Sequence, residues 1–242
     1  MTKLEHEHDE RAITYRLGRA VRLSYLRDWV YGGIDGAVTT FAIVAGVAGA
    51  GLSSGIILVL GLANLLADGF SMAASNYAGT TAEREDYERL RAIEEKHLAL
   101  APEGERAELR FLLRQKGLAG SELEQSVATI SSSRELWIDL MLAGEYGLAP
   151  ASRHPLAAAL YTFTAFVVCG AVPLMAFALN LPQAFDLSTV AVAVVFFAIG
   201  SLKSIWSVKP WWRSGGETLA IGAVAAAVAY GVGHLLSGLV AA

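Results

Sequence analysis

Ten side chains in this sequence carry donor atoms at spacings that place them on shared helix faces, and they form two groups. The first lies inside an apolar run from Trp29 to Tyr77, which contains Asp35, Asn64, Asp68 and Met72 and no Lys or Arg to pair with them. Asn64, Asp68 and Met72 are spaced i, i+4, i+8 and so share one face of a helix. A carboxylate within lipid costs roughly 2.5–3.5 kcal/mol on insertion scales, which marks Asp35 and Asp68 as functional candidates. A hard carboxylate oxygen beside a soft thioether suits a borderline divalent transition metal such as Fe²⁺ or Mn²⁺ better than Ca²⁺ or Mg²⁺. The second group follows the apolar run: Glu94 with His97, Glu105 with Glu108, and Met141 with Glu145. Each pair is three or four residues apart and projects from one face of its helix. Helical bundles that hold iron or manganese use Glu-rich faces and Glu-x-x-His in this manner. The plain alternative is that Met72 fills a core, Asp35 caps a helix and the Glu-rich helices are solvated. Glu85–Arg89 and Arg91–Glu95 have the spacing of ordinary i, i+4 surface pairs.

These groups need elements to position them. The run from Trp29 to Tyr77 is too long for one membrane helix, and the stretch Gly49–Gly55 (GAGLSSG) is rich enough in Gly and Ser to turn, so two helices are expected, about Trp29–Gly49 and Gly55–Tyr77. They run antiparallel. Asp35 lies shortly after the start of the first and Met72 shortly before the end of the second, so at about 1.5 Å per residue the two reach a similar depth. Gly32 and Gly36 form a small-xxx-small pair that permits close helix packing, within the chain or between subunits. Three later apolar stretches give further spans, at Pro155–Leu181 with a kink expected at Pro173, at Leu187–Leu202, and at Glu217–Val240.

The charge is concentrated between the second and third spans. From Glu83 to Arg153 there are 14 acidic and 10 basic residues, whereas the rest of the chain after Arg153 has only Asp186, Lys203, Lys209, Arg213 and Glu217. That stretch reads as a helical insert: a helix from about Thr81 to Leu100, one opened by Pro102 and stopped by Gly117, one capped by Ser121 with Glu124, and one capped by Ser132 with Glu135 that ends at Gly147. Pro150 and Pro155 return the chain to the membrane. The expected organisation is residues 1–28 as an N-terminal segment, 29–78 as two spans, 79–153 as the insert and 154–242 as three spans, an all-α membrane protein with five transmembrane helices. The loops that join the first span to the second, and the third to the fourth, hold no Lys or Arg, so the positive-inside rule places the N-terminal segment, the insert and the Lys203–Arg213 loop in the cytoplasm. Arg16, Arg19, Arg22 and Arg27 suit an amphipathic helix on anionic headgroups. Trp206, Trp211 and Trp212 suit the membrane interface. Lys203 reads as a helix-end residue whose ammonium reaches that interface, with a counter-ion role toward Asp68 as the alternative. His6 and His8 sit in a polar N-terminus that reads as a solvated tail rather than a metal site. The single cysteine excludes an internal disulfide, the polar, acidic N-terminus is unlike a signal peptide, and the net charge of −4 carries no nucleic-acid signal.

The motifs YGGIDGAVTTFAIVAGVAGA, around Asp35, and GLANLLADGFSMAASNY, around Met72, resemble the vacuolar iron transporter family, which includes bacterial and plant iron/manganese transporters. The resemblance runs from about Leu26 to the C-terminus. It implies a homodimer with the pathway at the two-fold interface, and export of metal from the cytoplasm by proton antiport. It also implies a metal-binding insert whose ligand positions correspond to Glu94, Glu105, Glu108, Met141 and Glu145. His97 stands where the family pattern has another Glu, and Leu142 where a second Met can occur. His remains a good ligand for Fe²⁺, Mn²⁺ or Zn²⁺, while loss of one thioether lowers the expected preference for softer metals.

The expected function is therefore a transporter that moves Fe²⁺ and/or Mn²⁺ out of the cytoplasm, with Asp35 and Met72, supported by Asn64 and Asp68, as the translocation site. Metal, protons, lipid and a second copy of the chain are its expected partners, and no prosthetic group or enzymatic activity is expected. The membrane would be the plasma or inner membrane of a bacterium or a vacuolar-type membrane of a eukaryote. The alternatives are a membrane-anchored metal store or oxidase and a metal sensor, each acting through the insert. Within the insert there is no second Glu-x-x-His, which a di-iron oxidase would use; Glu5-x-x-His8 lies in the N-terminal segment.

Overall fold

In the computed structural model, which describes residues 9–17, 25–148 and 153–240, every regular element is helical. A short helix α1 (Glu10–Leu17) precedes α2 (Leu26–Gly49), α3 (Ser54–Leu100), α4 (Pro102–Gln115), α5 (Gly120–Ser131), α6 (Arg134–Glu145), α7 (Pro155–Ala178), α8 (Ala184–Lys203) and α9 (Trp211–Val240). Among the described residues five helices, α2, α3, α7, α8 and α9, are long and apolar enough to cross a membrane. The α2–α3 turn falls where the Gly and Ser cluster was read. His6, His8, Arg19, Arg22 and Pro150 lie outside the described residues. Arg27 does not end a separate basic helix as expected; it lies in the first turn of α2. Helix α9 begins at Trp211 rather than near Glu217, so Trp211, Trp212 and Arg213 belong to the helix and the preceding loop is shorter than expected.

The chain divides into two units, residues 1–74 with 157–242, and residues 75–156; α3 runs unbroken through the boundary as one 47-residue helix. In the first unit an apolar core gathers Val30, Phe41 and Val44 of α2, Ile57 of α3, Leu174 and Phe177 of α7, and Phe196 and Ile199 of α8. Gly32 and Gly36 let α2 lie directly on α7: a Cβ at either would run into the backbone of Thr162 or Phe166. The small-xxx-small pair thus serves packing within the chain, the physical requirement being backbone approach without side chains between.

In the second unit α4, α5 and α6 pack around Leu109, Leu113, Leu123, Val127, Trp137 and Met141. Pro102 opens α4, and Gly117 follows its end at φ +96°, a conformation that favours Gly; Leu118 N–H donates to Leu113 O to close the turn. The two expected capping boxes do not form. Helix α5 starts at Gly120, ahead of Ser121, and α6 has Ser133 at its N-cap, with no side-chain capping bond in either case. The glutamates of both boxes go instead to arginines on neighbouring helices: Glu124 accepts from Arg110 at 2.7 and 2.9 Å and Glu135 from Arg91 at 2.5 Å. The pairing is across helices and doubly hydrogen-bonded in the case of Glu124, a bidentate geometry that a single bond to an N-cap N–H does not offer. Arg91 also pairs with Glu95, as expected, but Arg89 pairs with Asp86 rather than Glu85.

Candidate functional site

Asp35 sits nine residues into α2, and Met72 lies on α3. Both line one cavity of about 640 Å³ within the first unit, together with Arg27, Val30, Tyr31, Ile34, Lys203, Trp206 and Ser207. The similar depth expected from the tight hairpin is what places Asp35 and Met72 on one cavity. Both side chains are half-buried. Asn64 and Asp68 are not part of this wall. Asn64 Nδ2 donates to Thr39 Oγ1 at 3.4 Å, and Thr39 Oγ1 donates to Asp35 O at 2.9 Å, so Asn64 braces the turn of α2 that carries Asp35. Asp68 is exposed on α3, near enough to Asp35 for their charges to interact. Lys203 is the last residue of α8, as a helix-end residue should be, yet it stands on the Asp35 cavity rather than with Asp68. Arg27 lies over the ring of Trp206, 5.8 Å from its centroid. Lys203 meets Asp35 only when α2 and α8 pack, whereas Arg27 lies eight residues before Asp35 on α2 itself, a spacing that shares one helix face.

The second site is built by three helices of the second unit. Glu94 of α3 and Glu105 of α4 are buried to 1% and 3% exposure, and Met141 of α6 to 0%. His97 Nδ1 lies 3.3 Å from Glu105 Oε1. Glu108, Met141 and Glu145 line a cavity of about 710 Å³ with Phe111, Leu112 and Gly144. Glu94 Oε2 and Glu105 Oε2 are buried and have no hydrogen-bond partner among the described residues. Two such carboxylate oxygens are costly unless something cationic compensates them. Burial first, then the charges of Glu94 and Glu108, push the Glu105 carboxyl up to about 7 against the pull of His97. Burial and the same two glutamates also raise Glu145. In this arrangement no three His, Cys, Asp or Glu side chains among the described residues stand close enough to hold one metal ion. A cation here would have to draw the carboxylates together, and the repulsion that adds to burial in raising Glu105 and Glu145 is the force it would relieve. Met141 serves the apolar core as well as the cavity wall. Leu142 faces elsewhere, packed with Leu90 and Ile138.

Tyr146 is a site residue that the sequence did not announce. Its hydroxyl donates to Glu94 Oε1 at 3.1 Å, and burial together with that bond holds its pKa well above the ordinary phenol. It follows Glu145 at the end of α6, and only the α3–α6 contact brings it to Glu94.

Residues 26–234 match the profile of the VIT family. The chain is 33% identical over 209 residues to "Vacuolar iron transporter 1" of Arabidopsis thaliana, covering 85% of this chain and 83% of that protein. It is 32% identical over 232 residues to "Vacuolar iron transporter 1" of Oryza sativa subsp. japonica, covering 94% and 88% respectively. It is 32% identical over 230 residues to "Vacuolar iron transporter" of Toxoplasma gondii, covering 90% and 76%. The all-helical architecture, its five apolar spans and a match across almost the whole chain lead to one assignment: this protein belongs to the VIT family.

Proposed function

We propose that the protein is an iron and/or manganese transporter that carries Fe²⁺ or Mn²⁺ out of the cytoplasm in exchange for protons. The observation that carries this reading is the shared cavity of Asp35 and Met72, a carboxylate and a thioether from two membrane-length helices on one wall. The names of the relatives, vacuolar iron transporters, support metal as the cargo. A divalent ion leaving water loses hydration, and a carboxylate offsets part of that cost. Metal and proton compete for the same oxygens, which is the elementary basis for exchange. The insert would collect metal on Glu94, His97, Glu105, Glu108, Met141 and Glu145 and keep it available for the membrane site. Zn²⁺ is a further ion that this donor set accepts.

Reconstitution into liposomes tests the reading directly. Wild-type protein should carry Fe²⁺ and Mn²⁺ when driven by an imposed proton gradient, in the direction opposite to proton flow, and the Asp35→Asn variant should not. Flux that persists at matched protein density in Asp35→Asn would remove the membrane site and leave a membrane-anchored metal store, favoured by the buried unpartnered oxygens of Glu94 and Glu105. Orientation is tested separately: a reporter after Ala242 should lie outside the cytoplasm and one inserted near Gly120 inside it.

A further inference from the structure

The Asp35 cavity carries more positive than negative side chains. Arg27 and Lys203 stand on the same wall as one carboxylate, in a cavity whose cargo under the proposed function is itself a cation. The position of Lys203 is fixed by packing. A Cβ on Gly33 of α2 would sit 3.1 Å from Ile199 Cδ1 of α8, so Ile199 faces α2 at that level. Lys203 is four residues further along α8, on the same face, and its side chain therefore points along α2 toward the cavity. Of the other charged groups nearby, Asp68 of α3 adds a second negative charge close enough to act on Asp35. Arg27 lies over Trp206, and Glu217, whose charge Lys203 also influences, is held by Lys209 at 2.7 and 2.9 Å.

We propose that Lys203 is a tethered counter-cation of the Asp35 cavity, compensating the carboxylate while no metal is bound and giving way when a divalent ion enters. The inference rests on Asp35 being the translocation residue. A carboxylate between membrane helices is costly, the more so with Asp68 near it, and an ammonium on the same wall lowers that cost for the empty carrier. The same ammonium repels an incoming divalent ion, so it weakens metal binding and keeps the ion from being trapped. Lys203 is then a specificity and affinity determinant: a flexible four-carbon stem can withdraw its charge toward the interface, which a rigid cation stacked on an indole cannot do as readily.

The test exchanges charge at this position in the folded, reconstituted full chain. Cys169 is 7% exposed and is replaced by Ala to leave a single thiol. Lys203→Cys in that background is converted in liposomes either to a neutral methyl disulfide or to a cationic aminoethyl disulfide, the latter close to lysine in length and charge. Mn²⁺ flux is then measured as KM and kcat. The neutral adduct is expected to show a KM on the order of tenfold lower than the cationic adduct, the scale of one unit charge at such range in a partly solvated site, with a lower kcat because a tighter-held ion leaves more slowly. Equal KM values for the two adducts, within twofold, would overturn the proposal and make Lys203 a helix-end residue with its charge in the headgroups. The parent reading is judged separately by Asp35→Asn. Loss of flux there with equal KM values here ends this inference alone, whereas retained flux in Asp35→Asn ends both.

Discussion

The two metal-site candidates of this chain use opposite means of managing charge. The Asp35 cavity holds one carboxylate on its wall beside two cations, Arg27 and Lys203, and a thioether. The second unit holds Glu94, Glu105, Glu108 and Glu145 on helices that bring them into mutual repulsion, with His97 and the Tyr146 hydroxyl as partial compensation. A site within membrane helices cannot leave charge uncompensated, because lipid offers none. A site outside the membrane can store repulsion, since water and counter-ions screen part of it. Under the proposed function this contrast is a division of labour: the crowded carboxylates would capture a cation, and the compensated cavity would pass it on.

The largest expected effect breaks the comparison at its membrane half. Asp35→Asn should lower Fe²⁺ and Mn²⁺ flux by about 100-fold or more, the order expected when a dehydrated ion loses a charged ligand, while metal binding by the second unit continues. Equilibrium dialysis of the Asp35→Asn chain checks the second half of that statement. In the same background, Glu105→Ala with Glu108→Ala should weaken Mn²⁺ binding by roughly tenfold or more, as two carboxylates leave the ligand set. In an otherwise wild-type chain that double substitution should slow flux severalfold without abolishing it, and unchanged binding would assign both residues to solvated surface.

The pH dependence separates the two sites further. Glu105 is raised from its ordinary 4.5 to about 7 in the folded chain. The unfolded chain therefore holds fewer protons at this position across that interval, so its contribution to stability is full below about 4.5 and is lost as pH rises through about 7. Without metal, the second unit should lose thermal stability between pH 5 and pH 8, and bound Mn²⁺ should reverse much of that loss. Metal affinity should run the other way, rising about tenfold from pH 6 to pH 8 as the competing proton leaves. Titration of Asp35→Asn protein by calorimetry at both pH values measures this, and a pH-independent affinity would detach Glu105 from the ligand set.

Two smaller effects sharpen the contrast between thioether and phenol. Met72→Ala should reduce Fe²⁺ flux severalfold, by about 1 kcal/mol, and Mn²⁺ flux less, because Mn²⁺ gains little from sulfur. Equal losses for both ions would make Met72 wall packing rather than a ligand. Tyr146→Phe removes a single hydrogen bond to Glu94 and should weaken Mn²⁺ binding by the second unit by about two- to tenfold, the range of one hydrogen bond to a charged group. The change should leave Asp35-dependent transport at saturating metal near wild type.

How much of this was legible in the sequence follows from which interactions are local. Five spans, the turn after Gly49 and the start of α4 at Pro102 could be read directly, because hydrophobic length, Gly and Pro act within a few residues of their position. The pairing of Asp35 with Met72 was also legible, since a tight hairpin converts sequence distance into depth. Helix caps were not: Ser121 and Ser132 had the right local pattern, but Arg110 and Arg91 on other helices drew Glu124 and Glu135 away. The same holds for the use of Gly32 and Gly36, which spacing alone assigned to close packing and only the approach of Thr162 and Phe166 assigned to α7. Residue type and helical period determined the two sets of metal-ligand candidates and the helices that carry them. Tertiary structure alone decided that Lys203 joins the wall of Asp35, that Tyr146 reaches Glu94, and that Leu142 packs away from the site, because each depends on which faces of separate helices meet, and no local spacing encodes that.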